Sequence, residues 1–589
     1  MVDLITIEVI NSKFQSLLIE MRFLLINSAY SSLMRESRDC GFGFTTPEGE
    51  APFPGAENWL FMYGDAARRI KEIVPLEELH DDDVFIGNDP HEIGAPHTPD
   101  VLVMVPVLHE GKLIGFSSSV AHKMDFGGAV PGTIYNGATE IFQEGLRLPI
   151  MRFYEAGVII PQVEEIIRGN VRNADLVLGD LRAQVGATLT GAHRFKELAD
   201  RYGAETLLEA FEAILAAPEK RITSHVSEWP GKSAEAEALL DPPPNHDGPV
   251  RLHLHLTRVG GRLTFDFSDS DPQVRSAVNM PTGVLRRMCI TSVIGMTDRD
   301  IAENAGGARA LSVITKEGTV ASPVPPAPVG NTTMVQAAYI NIIIEALSEL
   351  KGEAGIAKRG GHGTTALGWR KGLVEGRKYV QYEIHNSSTG ASTWKDGISA
   401  VNPISHMYRN SGRLNDNPTI QETPIEVLEA QFPVRVRRYE LMPDSGGAGL
   451  YRGGVSPRRV YEALETADLN VRHAISFDLP AQGTEGGQPG RKGRVVVNAR
   501  TPNEVVVEGW SYELRAGDTL TFEGGGGGGL GEPLQRAPND IVMDVTEGFV
   551  SIEGARNDYG VVIRSKDGIY SLDEKATGEL RSKLGAPLG

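Results

Sequence analysis

Cysteine is almost missing from this chain. Cys40 and Cys289 are the only two in 589 residues and stand in unrelated contexts, so the sequence implies no disulfide framework. No apolar run reaches transmembrane length, and Met1-Val2-Asp3-Leu4 lacks the basic region and small-residue cleavage site of a secretory leader. No basic block relieves a net charge of −19, which argues against nucleic acid or an anionic membrane as partner. A cytoplasmic protein is the reading that fits these absences.

Nucleotide and nucleophile signatures are missing too. Gly231-Lys232-Ser233 resembles the end of a phosphate-binding loop, but the required upstream glycine is Val226 and no buried strand precedes it. Gly526, Gly528 and Gly531 meet a GxGxxG spacing only because six glycines, Gly524–Gly529, run together, and Glu532-Pro533 follows where a helix is needed. No Gly-x-Ser-x-Gly elbow offers a serine nucleophile. The expectation is a chain without an ATP site of its own.

What is present is the composition of an ordinary globular enzyme, 41% hydrophobic and 23% charged, at a length that calls for two to four domains. Thr6 is placed to cap a helix with apolar residues at Ile10, Phe14, Leu17, Leu18, Met21, Leu24 and Leu25, running to about Met34. Residues 38–44 read as a turn into a strand, and helix dominates 162–215. A breaker cluster at 241–249 marks a boundary; strands follow at 250–256 and 263–267, and a helix at 334–350. Beyond about 434 the pattern is short β segments punctuated by glycine: 434–439, 495–498, 505–507 and 519–522. The expected class is α+β and multidomain: a mixed α/β metal-binding part over 1–240, a middle α+β region over 241–433, and a Gly-rich β domain over 434–589.

Two apolar stretches, 101–108 and 112–121, flank the turn-like His109-Glu110-Gly111 and predict a β-hairpin. With Glu110-Gly111 as a two-residue turn, His109 faces Lys112 and Asp100 lands opposite Ala121. His97, Asp100 and His122 then gather at one hairpin end, within reach of a single ion. Imidazole plus carboxylate without thiolate suits Mn, Fe or Zn in a site with open positions. Asp39, Asp89, His91 and Asp125 are further candidates. The plainer alternative is turn and cap chemistry beside Gly and Pro. His362, in Gly360-Gly361-His362-Gly363, is a candidate cavity residue, and both cysteines read as small buried apolar groups.

These pieces resemble the B-type subunits of ATP-dependent hydantoinases and oxoprolinases, a family that also includes acetone and acetophenone carboxylase subunits. The resemblance is carried by Phe85-Ile86-Gly87-Asn88-Asp89-Pro90, His97-Thr98-Pro99-Asp100, Ala121-His122-Lys123-Met124-Asp125-Phe126-Gly127-Gly128 and Asp180-Leu181-Arg182-Ala183-Gln184. It continues through Asp444-Ser445-Gly446-Gly447-Ala448-Gly449, Arg452-Gly453-Gly454 and Gly531-Glu532-Pro533, to the tail with Asp544-Val545 and Tyr559-Gly560-Val561-Val562. Two departures stand out. Residues 54–60 occupy the place of a His-rich stretch, and His91 stands where an aromatic is usual, so substrate recognition is expected to differ from that of the best-known members.

The resemblance implies a division of labour. An A-type partner of the actin-like ATPase kind would bind ATP with Mg and phosphorylate a carbonyl or enol oxygen, and this chain would hold a divalent metal and finish the reaction. It places ligands at His97, Asp100 and His122, with Asp39 as a further one; Asp89 and Asp125 would orient the imidazoles from behind. The leading activity is ring opening of a cyclic amide such as hydantoin, N-methylhydantoin, 5-oxoproline or a lactam. The alternatives are ATP-dependent carboxylation of a ketone and a scaffold subunit without catalysis. A hetero-oligomer is expected, with the Gly- and Pro-rich loops over 444–533 as candidate partner contacts.

Overall fold

The computed structural model describes residues 2–54, 59–298, 300–353, 355–369, 379–400, 421–507 and 511–585. The N-terminal part contains α1 (Leu4–Ser28), β1 (Cys40–Thr45), α2 (Leu60–Ile73), β2 (Val84–Gly87) and α3 (Pro90–Ile93). Next come β3 (Asp100–His109), β4 (Lys112–His122), β5 (Met151–Glu155), β6 (Val158–Ile159), α4 (Pro161–Asn170), α5 (Ala174–Tyr202) and α6 (Ala204–Ser227). Its six strands form one sheet in the order β1-β4-β3-β2-β5-β6. Strands β3 and β4 are buried on both faces, which explains their near-continuous apolar run. Val101, Val103, Val105 and Val107 pack with the core around α1 and α5, while Leu102 and Met104 point the other way, toward α2.

Helix α1 is capped by Asp3, whose carboxylate accepts from the N–H groups of Ile5 and Thr6, and it stops at Ser28. The cap expected at Thr6 is one turn too late because Asp, an equally good N-cap, precedes it. Ala29 is extended and breaks the apolar series before Met34, which lies in a separate wide turn, Leu33–Ser37.

The middle region adds β7 (Ser233–Leu240), β8 (Val250–Val259), β9 (Arg262–Asp266), α7 (Thr282–Thr297), α8 (Ala305–Ala308), β10 (Leu311–Ile314) and the deeply buried α9 (Thr332–Lys351). Its sheet runs β10-β9-β8-β7. There follow β11 (Gly363–Trp369), β12 (Val380–His385), α10 (Ile425–Gln431), β13 (Val434–Leu441), β14 (Pro457–Ala463), β15 (Ala467–Arg472), β16 (Arg494–Val497), β17 (Val505–Val506), β18 (Ser511–Leu514) and β19 (Thr519–Glu523). They build two sheets, β12-β11-β15-β18 and β13-β14-β19-β16-β17. Strands on either side of residue 433 therefore share a sheet through the β11–β15 ladder, so that expected boundary does not coincide with a break in pairing. Among the described residues no helix is long and apolar enough to cross a membrane.

The six-glycine run is not an exposed loop. All six residues are buried, and their backbone exchanges hydrogen bonds with Gly361, Arg491, Gly454, Lys358, Gln488 and other segments of this same chain. A Cβ on Gly526 would lie 1.6 Å from the Ser445 carbonyl oxygen, closer than any side chain allows. The glycines let main chains approach one another within the fold, which overturns their assignment to a partner-facing surface.

Candidate metal centre

The turn of the metal hairpin forms as expected. Glu110 and Gly111 both have positive φ, matching a tight two-residue turn, and His109 faces Lys112. The register then shifts. Leu108 pairs with Leu113, but Val107 pairs with Gly115, so Ile114 is an extra residue and Asp100 sits opposite His122 rather than Ala121. A one-residue shift moves a strand's side chains to the other face. The bulge thus sets His122 beside Asp100 on one face; the simple hairpin count would have put them on opposite faces.

His97 arrives by a tight turn in which the Asp100 N–H donates to the His97 carbonyl at 3.2 Å. Asn88, one residue past β2, pins that turn. Its side-chain amide donates to the carbonyls of Thr98 and Leu146, and its oxygen accepts from the Leu148 N–H at 2.6 Å. The Asp180–Gln184 motif braces the back of the hairpin. Asp180 accepts from the N–H groups of Tyr30 and Ser31, and Gln184 donates to the carbonyls of Val101 and Ser119 while accepting from Lys123 Nζ.

One ligand atom each from His97, Asp100 and His122 lies within 4.8 Å of the others, and all three residues are buried. His97 Nδ1 lies 3.2 Å from the Gly330 carbonyl and its Nε2 lies 3.2 Å from Asp100 Oδ2. With Nδ1 donating to the carbonyl, the Nε2 lone pair of a neutral ring faces a carboxylate, an arrangement that a cation between them relieves. Among the described residues neither ring nitrogen of His122 has a hydrogen-bond partner, although both are buried. Burial pushes the His122 imidazolium down to about 3, so the ring is neutral at pH 7. Asp100 is held below the usual carboxylate range although burial works to raise it, chiefly through its contact with His97 and with help from the Trp59 side-chain hydrogen bond. A neutral His122 beside an ionised carboxylate matches the protonation states that metal binding requires. The donor set therefore fits a divalent ion.

The cover over this cluster comes from distant parts of the chain. Tyr382 stacks on His122 at 5.1 Å between ring centroids. Arg472 donates Nη2 to the Tyr382 hydroxyl and Nε to Thr364 Oγ1. Glu144, raised to about 8 by burial, accepts from the N–H groups of Val329 and Gly330 and so fixes the carbonyl that His97 uses. Trp59, Glu144, Gly330, Tyr382 and Arg472 were all invisible in sequence, because each is isolated from the His/Asp motifs.

The other candidates stand elsewhere. Asp39 is buried next to the centre and its main-chain carbonyl accepts from the His122 N–H at 3.0 Å, but its carboxylate is outside the three-residue cluster. Asp125 is committed to a loop: its oxygens accept from Gly127 N–H, Gly132 N–H, and the N–H and guanidinium of Arg172. Asp89 caps α3 through the His91 N–H and pairs with Arg147. Neither makes a hydrogen bond to a ligand imidazole; the Gly330 carbonyl takes that place at His97. His91 Nε2 meets the Ala327 carbonyl at 3.0 Å. Both cysteines are buried. Residues 55–58, within the expected departure at 54–60, lie outside the described residues.

Known proteins share this sequence and architecture over nearly their whole length. The chain is 29% identical over 600 residues, covering 98% of both sequences, to the B component named for a D-/L-hydantoinase of Pseudomonas sp. (strain NS671). The delta subunit of acetophenone carboxylase from Aromatoleum aromaticum is 24% identical over 87% of this chain and 80% of its own length. The crystal structure of the ATP-dependent caprolactamase from Pseudomonas jessenii superposes with a TM-score of 0.87 at 25% identity, covering 99% of this chain and all of the other. The Hydantoinase B/oxoprolinase family model matches residues 3–533, so the chain belongs to the hydantoinase B/oxoprolinase family.

Proposed function

We propose that this chain is the metal-binding subunit of an ATP-dependent enzyme that opens a cyclic amide, acting on a carbonyl phosphorylated by an A-type partner. The observation that carries this reading is the buried His97–Asp100–His122 cluster, with two orphaned imidazole nitrogens on His122, inside a family whose named relatives include a hydantoinase subunit and an ATP-dependent caprolactamase. An amide carbonyl is a poor electrophile, and phosphorylating its oxygen makes a good leaving group. A divalent ion bound here supplies Lewis acidity and lowers the pKa of water toward ~7. His97, Asp100 and His122 would hold it, with Asp39, buried next to the centre but outside the cluster, as a further candidate carboxylate. Three protein donors leave positions open for water and substrate. The Gly330 carbonyl fixes the His97 tautomer and Tyr382 fixes the His122 ring plane. The closed, buried setting excludes bulk water from the reacting carbon.

The acetophenone carboxylase relative supports a second reading, in which the same site directs an activated enol to carbon dioxide. A scaffold without catalysis fits less well, since scaffolding alone gives no reason to keep an orphaned buried imidazole. The test is co-purification with the partner encoded beside it, metal analysis, and ATP turnover against panels of cyclic amides and ketones. About one divalent ion per chain and turnover only by the pair are expected. Full turnover by this chain alone overturns the two-subunit reading, and metal-free active protein overturns the metal centre.

A further inference from the structure

Arg472 is buried to 1% exposure, yet among the described residues it forms no ion pair. Its donors meet only uncharged oxygens: Thr364 Oγ1 at 2.6 Å, the Tyr382 hydroxyl, and the Gly330 carbonyl at a long 3.4 Å. Burial lowers its pKa against the pull of Tyr382, Glu144 and Asp100, and with no carboxylate among the described residues in direct contact the buried guanidinium is in a costly state that a bound anion would relieve. A second buried group lies beside it. His362 is 2% exposed, and among the described residues neither ring nitrogen has a hydrogen-bond partner. Strand geometry joins the two. Thr364 pairs directly with Arg472 in the β11–β15 ladder, and His362 stands just ahead of β11, two residues before Thr364. The charge of Arg472 reaches both His362, where Arg359 also acts, and His122 of the metal cluster.

We propose that Arg472 and His362 form an oxyanion-binding site beside the metal ligands, shaped for the phosphoryl group of the activated substrate. The inference rests on phosphoryl activation in the reading above and names the residues that receive the group. A guanidinium fork presents paired donors to two oxygens of a phosphoryl group, and the imidazole supplies a third donor from an adjacent direction. The main-chain cradle is already tight there: a Cβ on Gly361, the residue before His362, would lie 1.8 Å from the Ile475 carbonyl oxygen.

The experiment uses the full chain with inorganic phosphate as probe, metal-free and Mn-loaded, read by calorimetry and by 31P line broadening from Mn. His362→Leu removes no hydrogen bond present in the structure and so leaves the fold intact, while Arg472→Lys keeps the charge and loses the fork. Both variants are expected to bind phosphate at least about tenfold more weakly, with the metal content of the wild type. Wild-type chain that binds no phosphate, or two variants that bind it equally well, overturns the proposal. Loss of metal from both variants also overturns it, since that marks a purely structural role. Wild-type chain that takes up no metal refutes the metal centre instead, and the metal-free phosphate measurement still decides this proposal.

Discussion

Replacing His122 by leucine should move stability and metal binding in opposite directions. Neither imidazole nitrogen has a partner in a fully buried position, so leucine removes an unsatisfied donor and acceptor. Leaving such groups unpaired costs about 1–3 kcal/mol. The ring also stacks on Tyr382 at 5.1 Å, a contact worth roughly 1 kcal/mol beyond its area, part of which leucine loses. The net for the metal-free protein is a gain of about 1 kcal/mol, a rise in thermal midpoint on the order of 2 °C. Wild type should gain a further ~2.7 kcal/mol at a hundredfold excess of metal over its dissociation constant, and the variant nothing. His97→Leu is the contrast. It leaves the Gly330 carbonyl with only the long 3.4 Å hydrogen bond from Arg472 and removes the Asp100 contact, so it should lower the metal-free midpoint as well. Differential scanning fluorimetry of the three proteins with and without chelator, alongside elemental analysis, reads all six states. A His122→Leu protein that melts several degrees below metal-free wild type, or that keeps its metal, refutes the reasoning.

Three further outcomes are expected. Trp59→Phe deletes the hydrogen bond to Asp100 and should weaken metal binding about tenfold or more with the fold retained; unchanged affinity in a competitive chelator titration would sink this. Gly115→Ala places a Cβ 2.2 Å from the Thr45 carbonyl oxygen at φ +151°, so it should cost more than ~2 kcal/mol and lose metal with it, against which an unaltered midpoint would count. Glu383 is pushed up to about 7 by burial, which outweighs the pull of Arg459 and the Tyr461 hydrogen bond. Its folded value therefore exceeds the ordinary ~4.3, and its contribution is fully present below ~4.3 and lost as pH rises through 7. Glu383→Gln should flatten that part of the midpoint–pH curve, and a variant curve parallel to wild type would contradict the assignment.

The donor triad was legible in the sequence because its three members belong to one hairpin and its flanking turn, where alternation and turn residues are local signals. Two features escaped it for different reasons. The Ile114 bulge depends on how β4 packs against β1 and α5, with Gly115 pressed against Thr45 and Phe195, and nothing in the two apolar runs announces an extra residue. Counting along the hairpin thus gives the triad the wrong register, and the loop freedom of His97 and the terminal place of His122 are what still bring the three side chains together. Asp89 and Asp125 show the opposite failure. Aspartate beside Pro or Gly reads equally well as a ligand support and as a cap, and here the turn amides and two arginines claim both carboxylates. Tyr382 and Arg472 had no local signal at all, since their role exists only through the ladder that joins β12, β11 and β15.

That same arrangement has a consequence for the order of events as the chain is made. The donors are complete once residue 122 has left the ribosome, whereas the groups that close over them, Gly330, Tyr382 and Arg472, are synthesised much later. The hairpin end stands open to dissolved ions during that interval and is sealed when the distant sheet docks. An ion held as proposed would leave the finished protein only when that docked sheet lifts, so its escape would be timed by the breathing of a tertiary contact rather than by the strength of its bonds. A chelator would take metal at a rate independent of chelator concentration, and any change that loosens the β11–β12 sheet would quicken exchange without touching a single ligand.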